Sequence, residues 1–429
     1  MVSVISSALI WGAAAVILIR LIQCSGIRLG SNRFIFILTC DKSIQGSFKT
    51  ERKELFAVFG LALLFRLCVF LISICAAYMF KDHGYSFSDY MNEYLKWDAN
   101  NYQRIAIGGY SYYTVEGDYT TLAFFPLYPW LIRILNLILR NEILSGIVLS
   151  GILYSGACTY LYKLFSMDYN KQTAIRGLVY LSVFPHALFF GVMMNESMLL
   201  FTMAATFYYI RTHNWRLVGI FGALAALSRM VGILMAIPAA IEWLEHYKIL
   251  GMLKEKKIKE IWHLFYSKGL WIFLMLAGLG IYLFCNYKTT GEWFKFLEYQ
   301  EKYWSNGSCY FGKGITTMFD NMLQKANSTK YEIWIPEVVS VIFVISALIY
   351  GIPRHKNMYT GFLLIYIIIN TGFEWPISIA RYMTCAIPAF LILSDFTERH
   401  KWTEPIITCC MAITMGIYLV AYFMFKQIL

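Results

Sequence analysis

One acidic residue, Asp98, stands out because apolar and aromatic residues surround it in the sequence. It lies in SDYMNEYLKWDANNYQRIAIGGY, which follows a long apolar stretch. If this segment is one α-helix, the apolar side chains within about 60° of Asp98 are Phe87, Met91, Tyr94, Leu95, Tyr102 and Ile105. A carboxylate there costs free energy unless it is paired or used. We therefore predict a catalytic acid on a helix at the membrane surface; the alternative is a surface Asp that hydrogen-bonds one turn onward.

Further charged side chains lie inside or beside apolar stretches, where they are costly without a partner. Arg229 interrupts GALAALSRMVGILMAIP, and Glu196 lies in GVMMNESMLLF. Arg381 follows EWPISIA and opens another apolar stretch, close in sequence to Glu374. A guanidinium suits a phosphate because it donates two parallel hydrogen bonds. Arg381 is therefore a candidate phosphate ligand, with a structural pair to Glu374 as the alternative, and Arg229 is the weaker candidate.

The composition places these residues in a membrane protein. Hydrophobic residues make up 59% of the 429 residues and charged residues 15%, whereas a soluble domain carries roughly a quarter charged residues. Apolar stretches of about 20 residues, enough to cross a bilayer, recur along the chain. We predict an all-α polytopic protein with about 12 transmembrane helices, over 2–23, 54–80, 122–140, 143–163, 175–191, 196–210, 217–243, 270–287, 336–352, 358–371, 382–395 and 404–425.

The net charge of +11 reports on topology because it concentrates in two short loops. These loops, 24–53 and 245–268, are predicted to be cytoplasmic by the positive-inside rule, which puts 81–121 and 288–335 outside. The charge therefore gives no indication of nucleic acid binding. The ten Cys are scattered, without metal-ligand spacing, so we expect no metal, cofactor or disulfide framework. A break near Arg229 and a partial hairpin over 175–210 stay open.

The motifs, taken together, resemble a known family. WDANNYQRIAIGGY (97–110), followed by TTLAFFPLYPWL (120–131), is similar to the first luminal loop of the PIG-V-type GPI mannosyltransferase II family. The similarity continues in order through NESMLLF (195–201), SRMVGIL (228–234) and ARYMTCAIPAF (380–390). It implies a GT-C membrane glycosyltransferase that uses a polyprenyl-phosphate sugar, typically dolichyl-phosphate mannose, with the family's loop acid at Asp98. Related chains occur in bacteria that make no GPI, so the GPI acceptor is not carried over.

The resemblance also implies a division of the chain. Residues 1–53 would add an N-terminal transmembrane helix and a basic cytoplasmic loop to the pattern. Residues 54–287 would form a seven-helix GT-C module that includes the catalytic loop 81–121, and residues 288–429 a large outer loop with four further helices. The expected site has Asp98 as catalytic base, phosphate ligands Arg381, Arg229 and Arg104, and substrate contacts from Trp97, Tyr102, Tyr110, Glu196, Glu374, Trp375 and Tyr382.

The sequence thus predicts an inverting glycosyltransferase that moves a hexose, mannose first, from a polyprenyl phosphate to a lipid or glycan acceptor on the outer or luminal face. A bacterial cytoplasmic membrane is favoured, or the endoplasmic reticulum if the chain is eukaryotic. A lipid-linked-sugar flippase is the rival, although we find none of the internal repeats typical of transporters. A scaffold subunit of a glycosylation complex is the third reading. The acceptor and the oligomeric state stay open.

Overall fold

The computed structural model describes residues 1–27, 50–80, 86–305, 307–325, 328–424 and 428. Within these residues the chain is helical, and its only β-structure is two isolated bridges. The predicted all-α class is therefore confirmed. Arg28, Arg33, Lys42 and Lys49 of the first basic loop lie outside the described residues.

The α-helices follow one another along the chain with short connections. In order, they are α1 Val2–Cys24, α2 Arg52–Phe80, α3 Phe87–Asn92, α4 Ala99–Gly108, α5 Leu127–Leu139, α6 Glu142–Asp168, α7 Lys171–Val183, α8 Glu196–Arg211, α9 Trp215–Ser228, α10 Ala236–His246, α11 Ile249–Lys254, α12 Ile258–Ser267, α13 Met275–Thr290, α14 Lys295–Trp304, α15 Phe311–Gln324, α16 Ile335–Gly351, α17 Asn357–Thr371, α18 Ile379–Met383, α19 Ile387–Arg399 and α20 Thr403–Phe423.

Short turns of other helix types extend several of these elements. The 3₁₀ turns are Thr120–Ala123, Ala187–Gly191, Met230–Met235 and Gly269–Leu274, and Lys330–Trp334 is a π-helical turn. Six helical stretches of the described chain are long and apolar enough to cross a membrane: Val2–Cys24, Arg52–Phe80, Glu142–Asp168, Gly269–Thr290, Lys330–Gly351 and Thr403–Phe423. The protein is an integral membrane protein, and the count of twelve spans stays a prediction.

The helix is interrupted at Arg229, inside the stretch predicted as one span over 217–243. Helix α9 ends at Ser228, and Arg229 is extended, with φ −162° and ψ 150°. The chain then turns back closely, because a Cβ on Gly232 would lie 2.0 Å from the carbonyl oxygen of Ala225. The helix therefore ends at the half-buried Arg229, and a close approach that glycine allows follows, at the place where the sequence left a break open.

The segment around Asp98 is not one helix, so the prediction of a continuous apolar stripe is wrong. Helix α3 ends at Asn92 and α4 begins at Ala99, with Trp97 in the left-handed region at φ +52°. Between them the buried ammonium of Lys96 donates to the carbonyl oxygen of Tyr422 at 2.5 Å and pairs with Glu93 at 3.3 Å. Satisfying this buried charge outweighs helix continuity, and Asp98 consequently lies at the start of α4.

The two long outer segments meet at one end of the molecule. Lys302 pairs with Asp118 at 2.7 Å, and the rings of Phe124 and Trp304 lie 5.5 Å apart, edge to face. At the beginning of α1, the Tyr310 hydroxyl donates to Ser7 at 2.8 Å. These contacts place the segments 81–121 and 288–335 together, as the charge pattern predicts.

The second basic loop lies at the opposite end of α1. The Lys248 ammonium donates to the carbonyl oxygen of Cys24 at 2.6 Å, and the Gly251 N–H donates to Ser25 at 2.9 Å. A helix of this length spans roughly 35 Å, about one bilayer. The outer segments and the basic loop are thus separated by the thickness of a membrane.

Impermeant thiol labelling tests this sidedness. In a cysteine-free background we expect cysteines at the exposed positions Tyr112 and Trp293 to react from the outside. A cysteine at the exposed position Lys256 should react only after permeabilisation, because it lies in a loop rich in Lys. Labelling all three after detergent solubilisation controls for reactivity. Reaction of positions 112 and 256 from the same side would contradict the topology.

Candidate active site

Four charged side chains from four separate elements meet near the outer end, and we call them the charged network. Asp98 precedes α4, Glu196 begins α8, Arg229 follows α9 and Arg381 lies in α18. The Arg381 Nη2 donates to Asp98 Oδ2 at 2.7 Å, and its Nε lies 3.3 Å from Glu196 Oε1. Arg229 Nη1 lies 3.3 Å from the same Glu196 oxygen. The order of contacts is therefore Asp98, Arg381, Glu196, Arg229.

The middle of the network is buried, whereas its two ends are partly exposed to solvent. The side chains of Arg381 and Glu196 are 4% and 2% exposed, but those of Asp98 and Arg229 are 24% and 19% exposed. Removing one partner of a buried pair leaves an uncompensated charge and costs about 3–5 kcal/mol. Glu196 Oε2 has no hydrogen-bond partner among the described residues, so the network retains acceptor capacity.

Local structure holds Glu196 and Arg229 side by side. The Asn195 side-chain amide donates to the carbonyl oxygen of Ser228 at 2.9 Å, which ties the start of α8 to the end of α9. Glu196 lies in the first turn of α8, where the helix dipole favours a carboxylate. The Arg229 guanidinium lies over the Tyr382 ring, 3.9 Å from its centroid, in cation–π geometry.

Arg381 owes its position to a buried acid that sequence analysis missed. Ser378 takes the left-handed conformation at φ +69° just before the short helix α18. Glu337, in the first turn of α16 and 1% exposed, accepts a hydrogen bond from the Ala380 N–H at 2.5 Å. Glu337 therefore holds the backbone next to Arg381. The signal was an acid inside the apolar run IPEVVSVIF, the same kind of signal that singled out Glu196.

The alternative that Arg381 pairs with Glu374 is wrong. Glu374 instead pairs with Lys313 at 2.9 Å on the surface. Arg381 lies in the interior, next to the Ala380 N–H that bonds to the buried Glu337. Trp375, also predicted to contact substrate, packs edge to face on Trp334 at 5.4 Å. Within the described chain neither Glu374 nor Trp375 forms a hydrogen bond or ion pair with the network.

Tyr102 and Tyr382, both predicted to contact substrate, lie beside the network. The Tyr102 ring is buried edge to face between Phe124 and Tyr128, with both centroids at 5.4 Å. Burial, followed by the nearby carboxylates of Asp98 and Glu196, raises the pKa of Tyr102 well above its usual value. Its hydroxyl thus stays protonated and able to donate at neutral pH.

The other predicted residues have different surroundings. Arg104 lies over the ring of Tyr113 at 3.5 Å, and the structure does not bring it to the network. The Tyr110 hydroxyl donates to the carbonyl oxygen of Phe124 at 2.7 Å, which is a structural contact within the outer segment. Trp97 directly precedes Asp98 in the sequence, and its side chain is 39% exposed.

The turn over residues 123–126 packs against Tyr282 of α13, and the two outer segments also pair with each other through Asp118 and Lys302. The Tyr282 hydroxyl donates to the carbonyl oxygen of Leu122 at 2.5 Å, and its ring stacks on Phe125 at 3.7 Å. Hydrogen bonds from Lys302 and then Tyr303 hold the pKa of Asp118 below its ordinary value. This contact between segments is therefore present at neutral pH and is lost as the pH falls through the lowered pKa.

The site combines two guanidinium groups with two carboxylates. No group of three or more His, Cys, Asp or Glu side chains able to hold a metal occurs in the described ranges. Asp98 and Glu196 both face Arg381. Such an arrangement can bind an anion through its guanidinium groups and accept a proton on its partly exposed carboxylate.

One family model matches part of the chain. The family model of dolichyl-phosphate-mannose-protein mannosyltransferases matches residues 125–282, a segment that contains Glu196 and Arg229. No match is found among curated proteins. The apo crystal structure of the Archaeoglobus fulgidus oligosaccharyltransferase is similar at a TM-score of 0.39 and 10% identity, over 85% of this chain and 55% of that one. The chain thus spans about half of that protein's length.

The family match, on an integral membrane protein, supports a membrane glycosyltransferase of the GT-C type. It includes neither Asp98 nor Arg381, because both lie outside the matched residues. The resemblance to the GPI mannosyltransferase II family stays a prediction.

Replacing Glu337 tests how Arg381 is held. Glu337→Ala leaves the buried Ala380 N–H without an acceptor, which costs about 1–3 kcal/mol, whereas Glu337→Gln keeps an acceptor oxygen. We expect faster amide hydrogen exchange over 378–383 in the Ala variant and near-normal exchange in the Gln variant. Val341→Ala, a buried change in the same helix, should lower the melting temperature without this local effect. Unchanged exchange over 378–383 in Glu337→Ala would show that the contact does not hold Arg381.

Proposed function

We propose that the protein transfers a hexose, with mannose as the first candidate, from a polyprenyl phosphate to a lipid or glycan acceptor at the outer face of the membrane. The ion pair between Asp98 and Arg381 is the observation that carries this proposal. It unites a carboxylate that can accept a proton with a guanidinium that can hold a phosphate. The partial exposure of Asp98 gives the acceptor access to the base.

The proposed reaction is a single displacement with inversion at the sugar. The acceptor oxygen attacks C1 of the hexose, its proton passes to Asp98, and the bond between C1 and the phosphate oxygen breaks. The leaving group departs as a polyprenyl phosphate monoester, which carries more negative charge than the donor. Arg381 and Arg229 would stabilise this developing charge in place of a metal ion.

Donor binding would exchange the partner of Arg381. In the structure, the Arg381 guanidinium occupies an oxygen of the Asp98 carboxylate, so that oxygen is not free to take the acceptor proton. A donor phosphate that takes the hydrogen bonds of Arg381 would displace Asp98 and release it to act as base. Glu196 would keep Arg381 and Arg229 aligned during this exchange, because it contacts both.

Aromatic side chains near Asp98 would contact the sugar and the acceptor. Trp97 presents an exposed ring surface next to the base, and Tyr102 offers a protonated hydroxyl beside the network. The lipid chain of the donor would lie against the apolar helices within the bilayer. We propose no substrate contact for four predicted residues, because the structure gives them other partners: Arg104, Tyr110, Glu374 and Trp375.

A transfer assay with the purified protein tests the proposal. With radiolabelled polyprenyl-phosphate mannose and a membrane-lipid extract, we expect the wild type to form a labelled product. Asp98→Asn keeps the shape of the side chain but removes the base, so turnover should fall by about 10²–10⁴. A scaffold would tolerate this change, and a flippase would move the donor across vesicles without covalent transfer. Wild-type turnover in the Asn variant would refute the assigned base.

A graded series at Arg381 tests the phosphate ligand. Arg381→Lys keeps the charge but loses the two parallel hydrogen bonds, so donor affinity and turnover should fall, and Arg381→Ala should be worse. Glu374→Ala is the matched control, because it removes only an exposed pair with Lys313 of little energetic weight. Affinity, turnover and melting temperature should be measured for all three. Normal donor affinity and turnover in folded Arg381→Ala would exclude the phosphate role.

A further inference from the structure

The end of the molecule opposite the charged network carries an exposed apolar stripe on α12. Ile258, Trp262 and Tyr266 are spaced four residues apart and are exposed, and no residue of α12 is buried. The stripe continues through the exposed Leu270 and Phe273, which open the membrane-spanning stretch Gly269–Thr290. Because it runs without a break into a lipid-facing helix, α12 has the geometry of a helix lying in the membrane interface.

The polar residues around this stripe are strongly basic. Residues 254–268 contain five Lys against two Glu, and one of the two, Glu255, pairs with Lys257 at 2.7 Å. Four of the five Lys flank the amphipathic helix α12 and one lies on it, and a cluster of this size beside a transmembrane segment complements the negative surface of anionic lipids. The positive charge of this surface therefore favours an anionic bilayer as the partner that covers it.

A cavity lies where α12 turns into the membrane-spanning stretch. It has a volume of about 400 Å³ and is lined by Thr212, His213, Asn214, Trp215, Arg216, Ser267, Lys268 and Trp271. The Arg216 guanidinium lies 5.6 Å from the centroid of the Trp271 ring. His213 contacts Glu242 at 3.0 Å, so Arg216 and Lys268 are the cations of the lining without a carboxylate partner among the described residues.

The lining is suited to an anion with a polar head. No carboxylate lines the cavity, and across the described residues neither Arg216 nor Lys268 forms an ion pair. The hydroxyl groups of Thr212 and Ser267 donate to the carbonyl oxygens of Tyr208 at 3.2 Å and His263 at 2.7 Å, so the proposed anion contacts come from the two cations. The volume lies in the range of small-ligand sites and is enough for a phosphate with a short polar head.

We propose that this cavity binds the phosphate of an anionic phospholipid headgroup, with α12 lying on the bilayer and bringing the lipid to it. Arg216 and Lys268 contact the phosphate, and the rings of Trp262 and Tyr266 rest at the level of the headgroups. The site is independent of the charged network and of the transferase activity proposed above. It fixes the cytoplasmic end of the protein to lipids of one charge.

Lipid retention by the intact protein tests this site directly. We would measure phosphatidylglycerol binding by native mass spectrometry, starting from nanodiscs with and without that lipid in phosphatidylcholine. We expect preferential retention of phosphatidylglycerol by the wild type, falling about fivefold for each charge removed by Arg216→Gln or Lys268→Gln. Lys401→Gln is the matched control, because Lys401 is an equally exposed Lys elsewhere.

Three outcomes would overturn the proposal. The first is equal retention of the neutral and the anionic lipid by the wild type. The second is the same small loss in Lys268→Gln as in Lys401→Gln. The third is displacement of the lipid by millimolar inorganic phosphate, together with equal stabilisation of the lipid-free protein by phosphate, which would make the ligand a soluble phosphate. Activity plays no part in these readouts, so they stand apart from any failure of the transfer assay.

Discussion

The charged network depends on one constraint, the need to satisfy a guanidinium that is almost wholly buried. Arg381 meets it with two carboxylates from distant parts of the sequence, Asp98 and Glu196. Because an unpaired charge in such a place costs several kcal/mol, the elements that carry these acids must converge on α18. The tie between α8 and α9, which holds Glu196 beside Arg229, serves this requirement.

Arg66 shows that a buried Arg need not form such a network. Its guanidinium donates to the carbonyl oxygens of Ala187 at 2.6 Å and Ser182 at 3.1 Å and lies over the Tyr154 ring at 4.2 Å. Its hydrogen-bond partners are neutral carbonyl oxygens, so it joins elements. Arg381, in contrast, has a partner that is partly open to solvent, which the proposed exchange with an incoming anion requires. This difference in partners, rather than burial, separates a structural Arg from a candidate ligand.

Features that depend on local composition could be predicted from the sequence. Contacts between residues far apart in the sequence could not. The apolar stretches, the break at Arg229 and the grouping of the outer segments follow from hydropathy and charge along the chain. The continuous helix around Asp98 was wrong because Lys96 finds its acceptor on Tyr422, more than 300 residues away. Glu337 was not predicted, because its partner is the backbone N–H of Ala380, which only the folded structure brings near. A pair of Arg381 with Glu374 looked plausible only because the two are neighbours in sequence.

The central claim is that the donor phosphate replaces Asp98 as the partner of Arg381, and donor affinity in Asp98→Asn measures it most directly. Titration of the purified variant with a polyprenyl-phosphate sugar should show tighter binding than the wild type, because the phosphate no longer competes with a carboxylate for the guanidinium. The same protein should fail to turn over. Weaker donor binding in a folded Asp98→Asn protein would contradict the exchange, since it would mean that Asp98 supports the site as a fixed structural partner.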